Sequence, residues 1–346
     1  MATLNRVFGA TNLTTSIGYR GSEAGENSFS SVKPWSDIKE ITDEYGNVWI
    51  QIPKFYTKYV MDENGVIKER YVSEFNGGSG WHLNPIFRNS KGAEIDQVCI
   101  SKYLVGEENG KLYSKSGMKP YGQVSPLTAR SKVAIYESEG MEYEYSLFDI
   151  WALIALQDLF IIEFADSDSN SVMQGITYRN YNEISFDRAS GKTDIINAPN
   201  GSTAINANQD SNGSYAMKYR GIENLWGNGR VFIDGIVFNG KDIYYCNNSA
   251  EYGDRSKYSK ANVERIVQSG LVHQLTYDEN SMLVMPKTLS DNGSYDNYYA
   301  ASTTGIDTIL YLGAEGNGNK IGLFSFITDT KIGSELPKSV YRMVRK

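Results

Sequence analysis

Cysteine and histidine are nearly absent from this chain: two of each in 346 residues. A disulfide framework takes a set of cysteines in a secreted chain. Cys99 and Cys246 lie far apart in β-like runs and read as buried, unpaired thiols. Zinc needs clustered cysteine and histidine ligands, and four such residues scattered along the chain do not supply them. His82 and His273 stand outside any nucleophile-elbow context, and no G-x-S-x-G motif occurs. His82 reads as a structural histidine. Proline is also scarce, at eight residues.

Positive charge is in deficit. Lys and Arg total 34 against 41 acidic residues, a net charge of −7, with no long basic run. That argues against nucleic acid or an anionic membrane as partner, since both are bound through Lys and Arg. Long apolar runs are missing too. The longest, residues 147–164, contains Asp149, Gln157, Asp158 and Glu163, so it is not a membrane span. The first twenty residues are polar and small, unlike a signal peptide. The expectation is a soluble protein made in a cytoplasm. Calcium suits Asp, Glu, Asn and carbonyl ligands, but no EF-hand-type loop is present, so a structural calcium stays open and unassigned.

What the chain does have is tyrosine, 25 copies, and glycine, 33 copies, in a sequence that is 40% hydrophobic. Rigid amphipathic rings beside small hydrogen-bonding residues suit recognition surfaces, and loop-rich β proteins in general. The segment 219–240, YRGIENLWGNGRVFIDGIVFNG, organises the rest. Its second half is β-branched and aromatic and reads as a buried strand. Its first half carries Arg220, Gly221, Glu223, Asn224, Trp226, Gly227 and Asn228, and reads as a rigid turn feeding that strand, with Asp234 and Gly235 inside it. A structural core loop is the favoured reading over a catalytic one.

Other elements follow from local signals. Residues 49–60 alternate in the strand period, with Pro53 confining them to an edge or a bulge. The Asp62-Glu-Asn-Gly turn predicts a hairpin into residues 67–72. Ser125 and Pro126 open a first helix over 125–136. Ser146-Leu-Phe-Asp resembles a capping box that opens the main helix over 147–165, apolar on most faces and so buried on two sides. Residues 166–212 are polar loops and small hairpins. Residues 263–272 form a weak helix or strand. Strands are expected at 243–246, 309–313, 321–327 and 339–344, with loops at 313–320 and 328–338.

The order R-G-x-E-N-x-W-G-N before an Asp-Gly strand resembles the central signature of C-type-lectin-like domains, a group that spans formylglycine-generating enzymes, variable proteins of diversity-generating retroelements and bacteriophage tail proteins. Lys33-Pro-Trp-Ser-Asp-Ile-Lys, Gly46-Asn-Val-Trp-Ile-Gln-Ile-Pro-Lys-Phe-Tyr, Gly80-Trp-His-Leu-Asn-Pro-Ile-Phe, Glu94-Ile-Asp through Lys102-Tyr, and Leu112-Tyr-Ser-Lys-Ser-Gly resemble the phage branch, in its order. The resemblance implies an α+β, C-type-lectin-like fold, β-rich with two main helices and preceded by a small β region. Its divisions are a flexible or virion-attachment segment at 1–30, a small β region at 31–76 and a ligand-binding domain at 77–346.

The function it implies is a virion protein of the tail tip or fibre that binds a glycan or protein on a bacterial surface through C-terminal loops. The contact residues are Tyr295, Asn297, Tyr298, Tyr299, Tyr311, Glu315, Asn317, Asn319, Lys320, Ser325 and Thr328. Repetition on a virion implies a homo-oligomer beside other virion proteins, with avidity from many weak sites. No catalytic residue, metal or cofactor is assigned. The enzyme branch uses paired cysteines late in its domain, and no cysteine follows Cys246 here. Two alternatives stay open: a decoration protein that binds only virion subunits, and a retroelement-diversified binder, for which the Tyr/Asn/Asp/Ser window at 290–299 has a fitting composition. A glycan hydrolase is a third class, since any two acids can meet in space.

Overall fold

The computed structural model describes residues 8–11, 29–139, 142–164, 166–177, 189–204, 215–291, 296–300, 307–312, 321–335 and 339–346. The long helix Ile150–Phe164 lies at the centre, and every residue from Ile150 to Glu163 is buried. A run such as Ile-Trp-Ala-Leu-Ile-Ala-Leu has no polar face to offer water, so it is stable only when packed all round. Each buried Leu, Ile or Phe stabilises by roughly 1.5–3 kcal/mol relative to exposure. The helix starts later than the expected residue 147. Residues Tyr145–Leu147 form a strand paired with Met343–Arg345, which holds Ser146 in extended backbone. Asp149 caps the helix instead, its carboxylate accepting from Ala152 N at 2.8 Å.

Three polar side chains on this helix tie it to three parts of the molecule. Gln157 Nε2 donates to the Leu323 carbonyl at 2.9 Å. Asp158 accepts from Arg70 at 2.7 Å and from the Tyr59 hydroxyl at 2.5 Å. Desolvation pushes the Asp158 carboxyl up to about 6 despite the Arg70 charge. Glu163 holds Arg220, Asn200 and Tyr219. A charge is tolerated inside only with such partners.

The architecture is α+β and β-rich, with mostly antiparallel sheets around this helix. A five-stranded sheet runs Tyr145–Leu147, Met343–Arg345, Gln97–Ser101, Val48–Pro53, Lys39–Thr42. It joins the early chain to its C-terminal strand. A four-stranded sheet is built on the predicted hairpin, Tyr56–Met61 with Ile67–Ser73, closed by Gly65 N to Asp62 O at 2.9 Å. Its edges are Phe8–Thr11 and His82–Leu83. The largest sheet centres on Arg230–Asn239 and takes in Thr308–Leu312, Phe326–Lys331, Asn297–Ala300, Gly270–Asp278 and Leu283–Ser290 on one side, and Asp242–Tyr245 and Ser259–Glu264 on the other.

Several expectations are met and several are corrected. Val48–Pro53 is neither the edge strand nor the bulge expected from Pro53: it is paired on both sides, and Pro53 is tolerated because it ends the strand two residues past the last pairing with Lys39. The first helix is Pro126–Ser138, with Ser125 accepting from Thr128 N. Residues 263–272 hold parts of two strands, Ser259–Glu264 and Gly270–Asp278. The strand expected at 321–327 runs Phe326–Lys331, because residues 322–325 are a turn closed by Ser325 N to Gly322 O at 3.1 Å. The closing strand is broken at Tyr341 and Arg342 into Ser339–Val340 and Met343–Arg345. Its halves join different sheets. The boundary expected at 76/77 does not divide two cores: Val48–Pro53 pairs with Gln97–Ser101, and one apolar cluster takes residues from both sides. Most of the expected segment 1–30 lies outside the described residues. No described helix is long and apolar enough to cross a membrane.

Candidate functional site

The signature segment folds as a hairpin and a turn. Tyr215–Tyr219 pairs with Ile222–Glu223 through the two-residue loop Arg220-Gly221. Both loop residues have positive φ, 46° and 89°, the combination that matches the twist of a tight hairpin. Arg220 is held there by its side chain. Its Nε reaches Glu163 at 2.9 Å, its second amino group the other Glu163 oxygen, and its third nitrogen Ser30 at 3.3 Å. Glu223 accepts from Gly191 N at 2.9 Å and from Thr193 N and Oγ1 at 2.8 Å, which fixes the loop that carries Asp194.

Trp226 is buried among Phe160 and its neighbours. Gly227 takes φ 77°, and a Cβ there would lie 2.7 Å from the Ile176 backbone. Asp234 is gripped by Arg130 at 2.7 and 2.6 Å. Gly235 N donates to Asp234 at 2.8 Å. Asn224 and Asn228 are buried with left-handed backbone, and their Oδ1 atoms and Trp226 Nε1 have no hydrogen-bond partner among the described residues. Eight of the nine signature residues are buried, and Gly221 at the hairpin tip is half-buried.

The expected contact residues divide into three groups. Tyr295, Glu315, Asn317, Asn319 and Lys320 lie outside the described residues. Asn297, Tyr298 and Tyr299 form the strand Asn297–Ala300, described in its backbone alone. Tyr311, Ser325 and Thr328 are corrected: their exposures are 0%, 1% and 0%, so none is on a contact surface. Tyr311 packs on Phe232, with ring centroids 5.7 Å apart. Ser325 accepts from Gly322 N at 3.0 Å and shapes a turn. Thr328 receives Arg265 on its carbonyl at 2.8 Å.

The sheet brings the ends of the Tyr/Asn/Gly-rich segments together. Leu312, where the segment 313–320 leaves, is paired with Phe326. Phe326 is paired on its other side with Tyr298. Just before that strand, Asp296 is buried and accepts from Phe324 N at 2.9 Å and Ser169 Oγ at 3.0 Å. The anchors of 292–295 and 313–320 therefore share one end of the sheet. Ser339, which follows 336–338, pairs with Arg230 at the same end of Arg230–Asn239, where Val231 meets Leu312.

A second feature had no signal in the sequence. A cleft of about 600 Å³ is lined by Ile38, Lys39, Glu40, Lys102, Tyr103, Asp194, Lys218 and neighbours. Lys102 bridges Glu40 at 2.9 Å and Asp194 at 2.8 Å. Asp194 also accepts from the Tyr103 hydroxyl at 2.6 Å and from Ser116 at 2.8 Å. Burial works against the Lys102 charge, but the hydrogen bonds to Asp194 and Glu40 outweigh it and its pKa is raised. Burial, then the bond to Asp194, pushes Tyr103 up to about 12. Lys218 differs. It is 7% exposed, and among the described residues its ammonium donates to one group, the Ile196 carbonyl at 2.6 Å. Desolvation, then the Lys102 charge, lowers its pKa. Residues from four distant stretches meet here, and nothing in Tyr-Ala-Met-Lys-Tyr distinguishes Lys218 from an exposed strand lysine.

No protein-family model matches the chain, and no curated protein matches it in sequence.

Proposed function

We propose that this chain is a bacteriophage virion protein of the tail tip or fibre, which carries a C-type-lectin-like domain and binds a bacterial surface receptor. The observation that supports this reading is the convergence of the anchors of 292–295 and 313–320 at one sheet end, through the neighbours Leu312, Phe326 and Tyr298. Two segments rich in Tyr, Asn, Gly and Ser are thereby rooted side by side on a packed scaffold. A rigid base suits recognition, because ordering the contact residues then costs less on binding. Aromatic faces stack on sugar rings or peptide surfaces, and amides supply hydrogen bonds.

The test is binding of labelled protein to a panel of host bacteria, beside a variant with Tyr295, Glu315, Asn317 and Asn319 changed to Ala. The expected result is saturable binding to some strains, reduced at least about tenfold in a variant that keeps its circular dichroism and melting temperature. A tenfold loss is about 1.4 kcal/mol. Absence of binding to every strain the parent phage infects would replace this reading with a structural role inside the virion.

A further inference from the structure

The cleft beside the signature hairpin carries one more cation than its described carboxylates balance. Lys39, Lys102 and Lys218 share the lining with Glu40 and Asp194, and both carboxylates are taken by Lys102. Arg220 is engaged by Glu163 beneath. Among the described residues the Lys218 ammonium, with three donors, places one, on Ile196 O. A cation this buried with spare donors costs free energy until an acceptor arrives. Ile38, Ile50, Ile196 and Pro199 add apolar surface to the same walls. A cleft of about 600 Å³ has the volume of a small-molecule site.

We propose that this cleft binds a small molecule bearing one carboxylate, with Lys218 as the group that holds the carboxylate. A singly charged anion fits the charge balance. A phosphate dianion would meet Glu40 and Asp194 with only one uncommitted buried lysine to offset them. The lining of the cleft shares no residue with the C-terminal segments of the receptor reading, so either proposal can fail alone.

The experiment uses the full chain, isotope-labelled, in transverse-relaxation-optimised amide spectra. D-glucuronate, N-acetyl-L-glutamate and neutral D-glucose are titrated in turn. The expected result is saturable shifts at Asn197, Lys218 and Gly221 with one or both carboxylates and none with glucose. Preference between the two carboxylates assigns the ligand to acidic sugars or to acidic peptides. Lys218→Met is expected to weaken that binding at least about tenfold, with Lys218→Arg retaining part of it. The proposal is overturned if neither carboxylate shifts these amides in the unmodified protein, or if glucose shifts them equally. Undiminished binding by a folded Lys218→Met protein overturns it as well.

Discussion

Lys218 and Arg220 stand two residues apart and are almost equally buried, at 7% and 5% exposure. Their surroundings are opposite. Arg220 has a partner for each guanidinium nitrogen and a carboxylate facing it on Glu163. Among the described residues Lys218 has one carbonyl. A planar fork suits a permanent, bidentate grip, whereas an ammonium on a flexible stem can accept a new partner without leaving its place. Burial of a charge therefore does not by itself mark a site. What separates the structural cation from the available one is whether its donors are already used.

The largest test of this contrast is Arg220→Met. It leaves Glu163 buried without its cation and is expected to cost about 3–5 kcal/mol in urea denaturation. Burial already raises the Glu163 pKa, against the pull of Arg220. A carboxyl with a raised folded pKa contributes stability below its unfolded pKa and loses it as pH rises through the folded one. Removal of Arg220 raises that folded pKa further. The cost of Arg220→Met should therefore be smaller at pH 5 than at pH 8, and a flat cost would show that Glu163 stays ionised without its partner.

Gly227→Ala comes next. It forces a left-handed residue with a Cβ against the Ile176 backbone, and roughly 1–3 kcal/mol is expected by the same denaturation. The smallest effect belongs to Lys218→Met. Met keeps the stem and removes a poorly partnered charge, so stability should change by less than about 1 kcal/mol while carboxylate binding falls. A loss as large as that of Arg220→Met would mean that Lys218 is structural, and the contrast would collapse.

Much of the local structure was legible. Asp62-Glu-Asn-Gly specified its hairpin, Ser125-Pro126 its helix start, and the apolar run after Asp149 its buried helix, because turn and capping chemistry acts within a few residues. The helix start was misplaced because strand pairing with Met343–Arg345, nearly 200 positions away, captured Tyr145–Leu147. Tyr311, Ser325 and Thr328 were misassigned for a related reason. Composition marks a stretch as polar and aromatic, but the sheet decides which side chains turn inward.

By itself the sequence determined a β-rich α+β protein with a central buried helix, a rigid Gly/Asn turn and two unpaired cysteines. These follow from periodicity, turn residues and burial preference, which are local or compositional. Only the tertiary structure decided that Leu312, Phe326 and Tyr298 stand side by side, and that Lys102 spends itself on Glu40 and Asp194 while Lys218 does not. Whether a polar group is saturated depends on neighbours that the chain supplies from far away, and no pattern along one strand records them.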